Sequence, residues 1–147
     1  MSAEQLLSSV PHSDTIIVAD LEAGIGTLTR LPEQAVEHTL VIVEPTPRSI
    51  DVGLRAVTVA TERAQGHITV VANKIVDADD DARVRTAFDG YDVVAVPADP
   101  TIVSADRQGL SPMDVSASSP AVAAIGSLVS QLTGGRSHGA GLATGRS

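Results

Sequence analysis

The stretch ITVVAN, residues 68–73, carries the strand signal that decides the fold. It is rich in β-branched residues and apolar on both faces, as a strand buried within a parallel sheet must be. Three further runs share this character: TIIVAD (15–20), TLVIVE (39–44) and YDVVAVP (91–97). The sequence therefore predicts an α/β fold whose parallel sheet has about four strands.

Segments of helical character separate these runs. In the clearest, Ser49–Gln65, the apolar residues Ile50, Leu54 and Val57 recur on one face. The others are Asp79–Phe88, a helix running to Gly109, and Pro120–Leu132 capped by Ser118 or Ser119. Since one helical crossover usually joins neighbouring strands, residues 39–44, 68–73 and 91–97 are expected to be adjacent in that order, with helices on both faces of the sheet.

Composition limits the domain count and the partners. A chain of 147 residues with 43% hydrophobic residues supports one domain, assigned to residues 1–133, and the low-complexity segment 134–147 reads as a disordered Gly/Ser-rich tail. The net charge of −8 and the lack of a Lys/Arg cluster argue against direct nucleic-acid binding. No apolar stretch approaches membrane-spanning length and no leader precedes the first strand, so we expect a cytoplasmic protein without membrane contact.

The segment DLEAGIG, residues 20–26, follows the first predicted strand. Asp20 would then lie at the carboxyl edge of the sheet, where ligands bind in α/β folds. An aspartate there can hold a water on Mg²⁺, and the amides around Ala23 and Gly24 can approach a γ-phosphate closely. The same residues also suit an acidic helix-capping turn. The spacing alone leaves both interpretations open.

Two other predicted strand ends carry polar groups. Asn73 and Lys74 follow ITVVA, where a carboxamide can pair with a base edge and the lysine stem can cover the base plane. Guanine-selective sites place a carboxylate two residues after the lysine, but Val76 occupies that position, which favours adenine. The alternative is a polar strand end that faces solvent. A proline-fixed turn at Pro97 to Asp99 could expose backbone groups to the same base.

Histidine and cysteine usage gives no metal signal. The chain has no cysteine, and its histidines are expected to lie apart, at strand or helix edges or in the tail, with no i,i+4 pair and no nearby ligand cluster. They are His12, His38, His67 and His138. The acidic run DADDDAR (77–83) lacks the central glycine and terminal glutamate of a calcium loop, and it predicts a solvated helix start. No metal site is expected.

Five segments follow one another along the chain: DLEAGIGTLTR, VIVEPTPRSIDVGLRA, VVANKI, VPADPTIVSADRQGLSP and SPAVAAIGSLVSQL. In this order they resemble the carboxyl-terminal half of the MinD/ParA-type deviant-Walker P-loop ATPases. Within that group the chain looks most like the CooC-type maturation ATPases of carbon monoxide dehydrogenase. The resemblance spans residues 3–133 and implies an ATPase fold that dimerises around ATP with Mg²⁺. It also implies roles for single residues: Asp20 as Walker B aspartate, Glu22, Ala23 and Gly24 as switch II, Asn73 and Lys74 with Pro97, Ala98 and Asp99 around adenine, and residues 44–49 near the dimer interface.

The chain departs from that family in two ways. It contains no G-x-x-x-x-G-K-[ST] phosphate loop, and it lacks the C-x-C pair of the CooC branch. These departures imply a fragment or a reduced paralogue that binds ATP weakly and is inactive alone, in a setting related to metalloenzyme maturation. The alternative is a non-catalytic module that pairs with itself or with an intact ATPase. The missing phosphate-loop strand would leave residues 15–20 beside 39–44, either closed against them or across a wet gap.

Overall fold

The computed structural model describes residues 16–21, 25–33 and 35–134. Helices and strands alternate through most of this part of the chain, as the sequence predicts. The elements are α1 (Ile25–Arg30), β1 (His38–Val43), α2 (Pro47–Glu62), β2 (His67–Ile75), α3 (Ala78–Ala87), β3 (Asp92–Pro97), α4 (Pro100–Gln108), α5 (Pro112–Ser116) and α6 (Pro120–Gly134). Within the described residues, no helix is long and apolar enough to cross a membrane.

The sheet has the order β1-β2-β3, and both strand pairings are parallel. His38 pairs with His67 at the start of β1 and β2, and the register continues to Val43 opposite Ala72. The predicted adjacency of residues 39–44, 68–73 and 91–97 is therefore confirmed. The α/β class with helices flanking a parallel sheet is confirmed with it.

The prediction of a fourth strand at residues 15–20 is wrong for the described part of that run. Residues 16–20 have no strand structure, and the side chains of Ile16, Ile17 and Val18 are 57%, 47% and 87% exposed. A strand is stabilised by ladder bonds to a neighbour and by a covered face, and this run has neither of them among the described residues. Neither the expected closure against residues 39–44 nor a strand held across a gap is observed.

Two apolar layers sandwich the sheet. On one face, α2 and α3 pack through Val57, Val84 and Phe88 against inward-facing residues of β1 and β2. On the other face, α6 packs through Ala121 and Leu128 against β2 and β3. Leu40 and Ile42 of β1 point to this second face and are exposed. In the described part of the chain, the second layer therefore covers β2 and β3 but not β1.

Side-chain caps decide where the helices begin. Thr46 accepts from Ser49 N before α2, and Asp77 accepts from Asp80 N before α3. Ser119 Oγ accepts from Val122 N at the start of α6, which confirms one of the two predicted caps. The predicted solvated start of DADDDAR is likewise confirmed. Helix α6 runs to Gly134, one residue into the predicted tail, and the rest of that tail lies outside the described residues.

Helix α2 begins two residues earlier and ends three residues earlier than the predicted Ser49–Gln65. Pro47 fits its first turn because the missing N–H would have no helical partner there. After the helix, Ala64 (φ 49°) and Gly66 (φ 63°) adopt left-handed conformations that turn the chain into β2. Gly66 is required at this turn because a β-carbon would overlap the Glu37 carbonyl oxygen.

Candidate functional site

The carboxyl ends of the three strands bring several of the predicted site residues together. Ala98 N, just after β3, donates to Ile75 O at the end of β2 over 2.8 Å. Lys74 Nζ contacts Glu44 Oε1, just after β1, over 2.5 Å. These bonds join the segment that contains Asn73 and Lys74 to the turn after β3 and to the loop after β1. Their predicted nearness is therefore observed, while their contact with a base stays a prediction.

A β-bulge sits in the middle of this edge. Ala72 pairs with Ala95, but the next paired residues are Ile75 and Pro97, so two residues of β2 face one residue of β3. One of those two, Lys74, has a left-handed backbone with φ 59°. That conformation costs a non-glycine residue about 1–2 kcal/mol. Bulges and such strained residues concentrate at functional sites, where they redirect side chains.

The bulge carries the Asn73 side chain, which has no hydrogen-bond partner among the described residues. This side chain is half-buried, and its carboxamide makes no hydrogen bond to any described residue. The amide therefore offers donors and an acceptor to a ligand. The adjacent Lys74–Glu44 ion pair is exposed on both sides, so it contributes little stability and Lys74 can leave it at little cost.

Asp99 caps two helices at once. Its Oδ1 accepts from Thr101 N over 2.8 Å at the start of α4, and its Oδ2 accepts from Ala121 N over 3.2 Å at the start of α6. These two backbone hydrogen bonds lower the pKa of the Asp99 carboxyl below its ordinary value. The structural role of this carboxylate is thus clear, and its predicted contact with adenine would have to coexist with that role.

Asp99→Asn should destabilise the protein at pH 7, because the amide carries no charge to balance two helix N-termini. A carboxyl whose pKa is lower in the folded than in the unfolded protein stabilises the folded state at pH values above its unfolded-state pKa. That contribution is lost as the pH falls through the folded-state pKa. The stability difference between wild type and variant should therefore narrow below about pH 4. Urea midpoints at pH 7 and pH 3 measure it. A gap that stays constant across that range would contradict this role of the charge.

Asp20 is not brought to this edge. It lies exposed in the irregular segment 16–21, and the next residue, Leu21, packs against Leu28, Leu31 and Ala60. Ala60 belongs to the last turns of α2, which lie at the amino edge of the sheet because α2 runs back from the end of β1 to the start of β2. The expected strand end at Asp20 is therefore wrong, and its Walker B role stays a prediction.

The predicted switch residues Glu22, Ala23 and Gly24 lie outside the described residues. The segment EPTPRS, in contrast, is described throughout. It forms the loop after β1 and the first turn of α2, where Glu44 N donates to Ser49 Oγ over 2.9 Å. Asp77, one position too late for guanine, already accepts from Asp80 N as a helix cap.

One group of polar side chains, at the opposite, amino edge of the sheet, was not predicted from the sequence. His38 and His67 are paired across β1 and β2, and their ring centroids are 6.1 Å apart. The expectation that the histidines lie apart is wrong for these two. The available signal was that each immediately precedes or begins a predicted strand, so pairing of the strand starts would have brought them together.

No protein-family model matches the chain. Residues of the chain are 30% identical over 101 positions to the carbon monoxide dehydrogenase accessory protein CooC of Rhodospirillum rubrum. The aligned region covers 68% of this chain and 38% of that protein, so the chain spans about two fifths of the length of the curated relative that it matches. The chain is thus distantly related to CooC, in agreement with the resemblance drawn from its motifs.

Proposed function

We propose that the chain binds an adenine nucleotide, ATP or ADP with Mg²⁺, at the Asn73–Lys74 bulge, as part of a CooC-like accessory ATPase. The observation that carries the proposal is the half-buried Asn73 carboxamide, which has no hydrogen-bond partner in the described part of the chain. A strained bulge holds it at the edge where α/β folds bind their ligands. The distant relationship to CooC supports the same assignment.

Three groups at this edge have roles in the proposed site. Asn73 supplies a donor and an acceptor that match the hydrogen-bonding edge of adenine. The aliphatic stem of Lys74 covers one side of the base once its exposed ion pair with Glu44 opens. The turn at Pro97 and Ala98, fastened to β2 by the Ala98 N to Ile75 O bond, presents rigid backbone groups to the base.

Phosphate binding and hydrolysis need groups that this stretch of 147 residues does not contain. No G-x-x-x-x-G-K-[ST] motif occurs in it, and phosphate cradling with charge neutralisation supplies most of phosphoryl-transfer catalysis. In this proposal, the chain on its own therefore binds nucleotide weakly through the base and hydrolyses it negligibly. Asp20, Glu22 and Gly24 would act on Mg²⁺ and the γ-phosphate only in an assembly that provides the phosphate loop.

Asn73→Ala should remove most of the adenine affinity, because it deletes the base-reading amide without disturbing a hydrogen bond among the described residues. Titrations of ATP, ADP and GDP with Mg²⁺, followed by NMR shifts of the β2 and β3 ends, should give at least a tenfold weaker apparent Kd for ADP. Gln131→Ala is the matched control, since it deletes an exposed amide at the far edge of the sheet.

A second readout uses the single lysine of the chain, Lys74. Bound ADP should slow its labelling by an amine-specific reagent, whereas GDP should leave it unchanged. Equal or tighter binding of GDP, or unaltered ADP binding by Asn73→Ala, would contradict the proposal. Rapid Mg²⁺-dependent ATP turnover by the chain alone, lost in Asp20→Ala, would contradict the expected inactivity.

A second candidate function is a non-catalytic interaction module that pairs with itself or with an intact ATPase. The observation that favours it is β1, whose outer edge has no paired strand in the described part of the chain and whose Leu40 and Ile42 are exposed. Such an edge is a template for pairing with another chain. If this function holds, sedimentation should show nucleotide-independent association that Ile42→Lys abolishes and Asn73→Ala leaves intact.

A further inference from the structure

The amino edge of the sheet carries a polar cleft of about 390 Å³ between the strand starts and α6. His38 and His67 are direct partners in the β1–β2 register, so both side chains leave the same face of the sheet. Their ring planes are inclined by 77° and their centroids are 6.1 Å apart. Thr69 and Gln131 complete the polar part of the lining.

A carboxylate orients one of the two imidazoles. Asp92, the first residue of β3, places Oδ2 at 2.7 Å from His67 Nε2. Since an ionised carboxylate can only accept, His67 donates from Nε2, and in the neutral imidazole the Nδ1 lone pair is then available to a ligand. Metal-binding histidines are held in this way by a carboxylate on the second ring nitrogen.

We propose that His38 and His67 form a binding site for a divalent transition-metal ion, with Asp92 as the residue that positions His67. A metal–nitrogen bond is about 2.1 Å long, so two imidazoles that share one ion have centroids roughly 5–6 Å apart. The observed centroid separation of 6.1 Å is close to that range. An anion is disfavoured because Asp92 stands beside the imidazoles and the chain carries a net charge of −8.

The site has open coordination positions. Among the described residues, no group of three or more His, Asp or Glu side chains is arranged to hold an ion. The ion is therefore bound by two imidazoles and completed by water, and both ligands are reachable from solvent through the cleft. The affinity should follow the general order for nitrogen ligands, with Cu²⁺ bound more tightly than Ni²⁺ or Zn²⁺.

This site is independent of the proposed nucleotide site. Asn73 comes six positions after His67 in β2, and at 3.3 Å per residue the two lie roughly 20 Å apart along the strand. Failure of either proposal therefore leaves the other standing. The metal site also needs no residue outside the described part of the chain.

Calorimetric titration of the full chain with Cu²⁺, Ni²⁺ and Zn²⁺ tests the site. His38→Ala and His67→Ala should each weaken binding at least tenfold, because each removes one of two protein ligands. The matched control is the double variant His12→Ala/His138→Ala, which removes the other two histidines of the chain and should bind as wild type does. Electron paramagnetic resonance of the Cu²⁺ complex should show two coordinated nitrogens in wild type and one in either single variant.

Asp92→Asn tests the positioning role. It should weaken binding about tenfold, as is typical for the loss of such an outer carboxylate, while two nitrogens remain coordinated. Nitrogen NMR of the metal-free variant should show His67 losing its preference for the Nε2–H tautomer, which a purely structural role would not change. The proposal is overturned if the His38→Ala/His67→Ala double variant binds metal as wild type does, or if the His12→Ala/His138→Ala control loses binding instead.

Discussion

Phe88→Ala is expected to lower the free energy of unfolding by about 3–5 kcal/mol, because it empties the largest side-chain site in the core. Phe88 is 1% exposed and packs with residues of α2, α3, β1 and β2. Its ring lies so close to α2 that a β-carbon built on Gly53 would be 2.9 Å from Phe88 Cζ. The helix and the ring are therefore fitted to each other, and the cavity could not close without moving α2.

Such a loss is a large share of the roughly 5–15 kcal/mol that stabilises a domain of this size. Urea unfolding followed by far-UV circular dichroism measures it. Phe88→Leu should cost less than half as much because it retains most of the buried apolar volume. Tyr91→Phe is a control on the only other aromatic residue, which is half-buried at the same cluster. A loss below about 1 kcal/mol for Phe88→Ala would mean that this core is not packed as described.

Gln65→Leu is expected to cost about 2–5 kcal/mol, although leucine is apolar and similar in size. The Gln65 side chain is fully buried. Its Oε1 accepts from Ala35 N over 3.2 Å, and its Nε2 donates to Pro32 O over 2.5 Å. Leucine would leave this N–H and this C=O, which are only partly buried, without their side-chain partner, and each such group costs up to about 1–3 kcal/mol.

The damage from Gln65→Leu should be local before it is global. Hydrogen exchange should rise first around residues 31–37, since the glutamine ties that segment to the turn between α2 and β2. Gln108→Leu is the matched control, because that amide is exposed on α4 and, among the described residues, bonds only to Ser104 of its own helix. The control should change stability by less than about 0.5 kcal/mol. Equal effects of the two variants on stability and hydrogen exchange would show that Gln65 does not hold this segment to the turn.

The three strands and their order could be predicted because each run is apolar on both faces and the crossovers between them are short. Helix starts were predictable where Ser and Asp offered side-chain caps, as at Ser119 and in DADDDAR. The nearness of the residues at the carboxyl edge was predictable from the strand order. Asn73 lies two residues before the end of β2, and the turn at Pro97 and Ala98 ends β3. These strands pair in parallel, so their carboxyl ends lie at one edge.

The run TIIVAD shows where such reasoning stops. Its composition matches that of the other three runs, yet its described residues 16–20 are exposed and unpaired. Sequence reports the tendency of a segment to be buried in a sheet, but a strand also needs a free edge beside it, and that depends on other elements. The expected place of Asp20 at a strand end followed from that strand and is wrong with it, while its Walker B role stays a prediction.

By itself, the sequence determined the class of fold, the order of three strands and the edge at which Asn73 lies, because local composition and short connections are enough for these. Only the tertiary structure decided the bulge that strains Lys74, the capping of two helices by Asp99, and the pairing of His38 with His67. Each of these joins residues through strand register or helix packing. Register and packing depend on contacts between segments that are distant in the chain, so a local pattern indicates at most which element ends come together, as at His38 and His67.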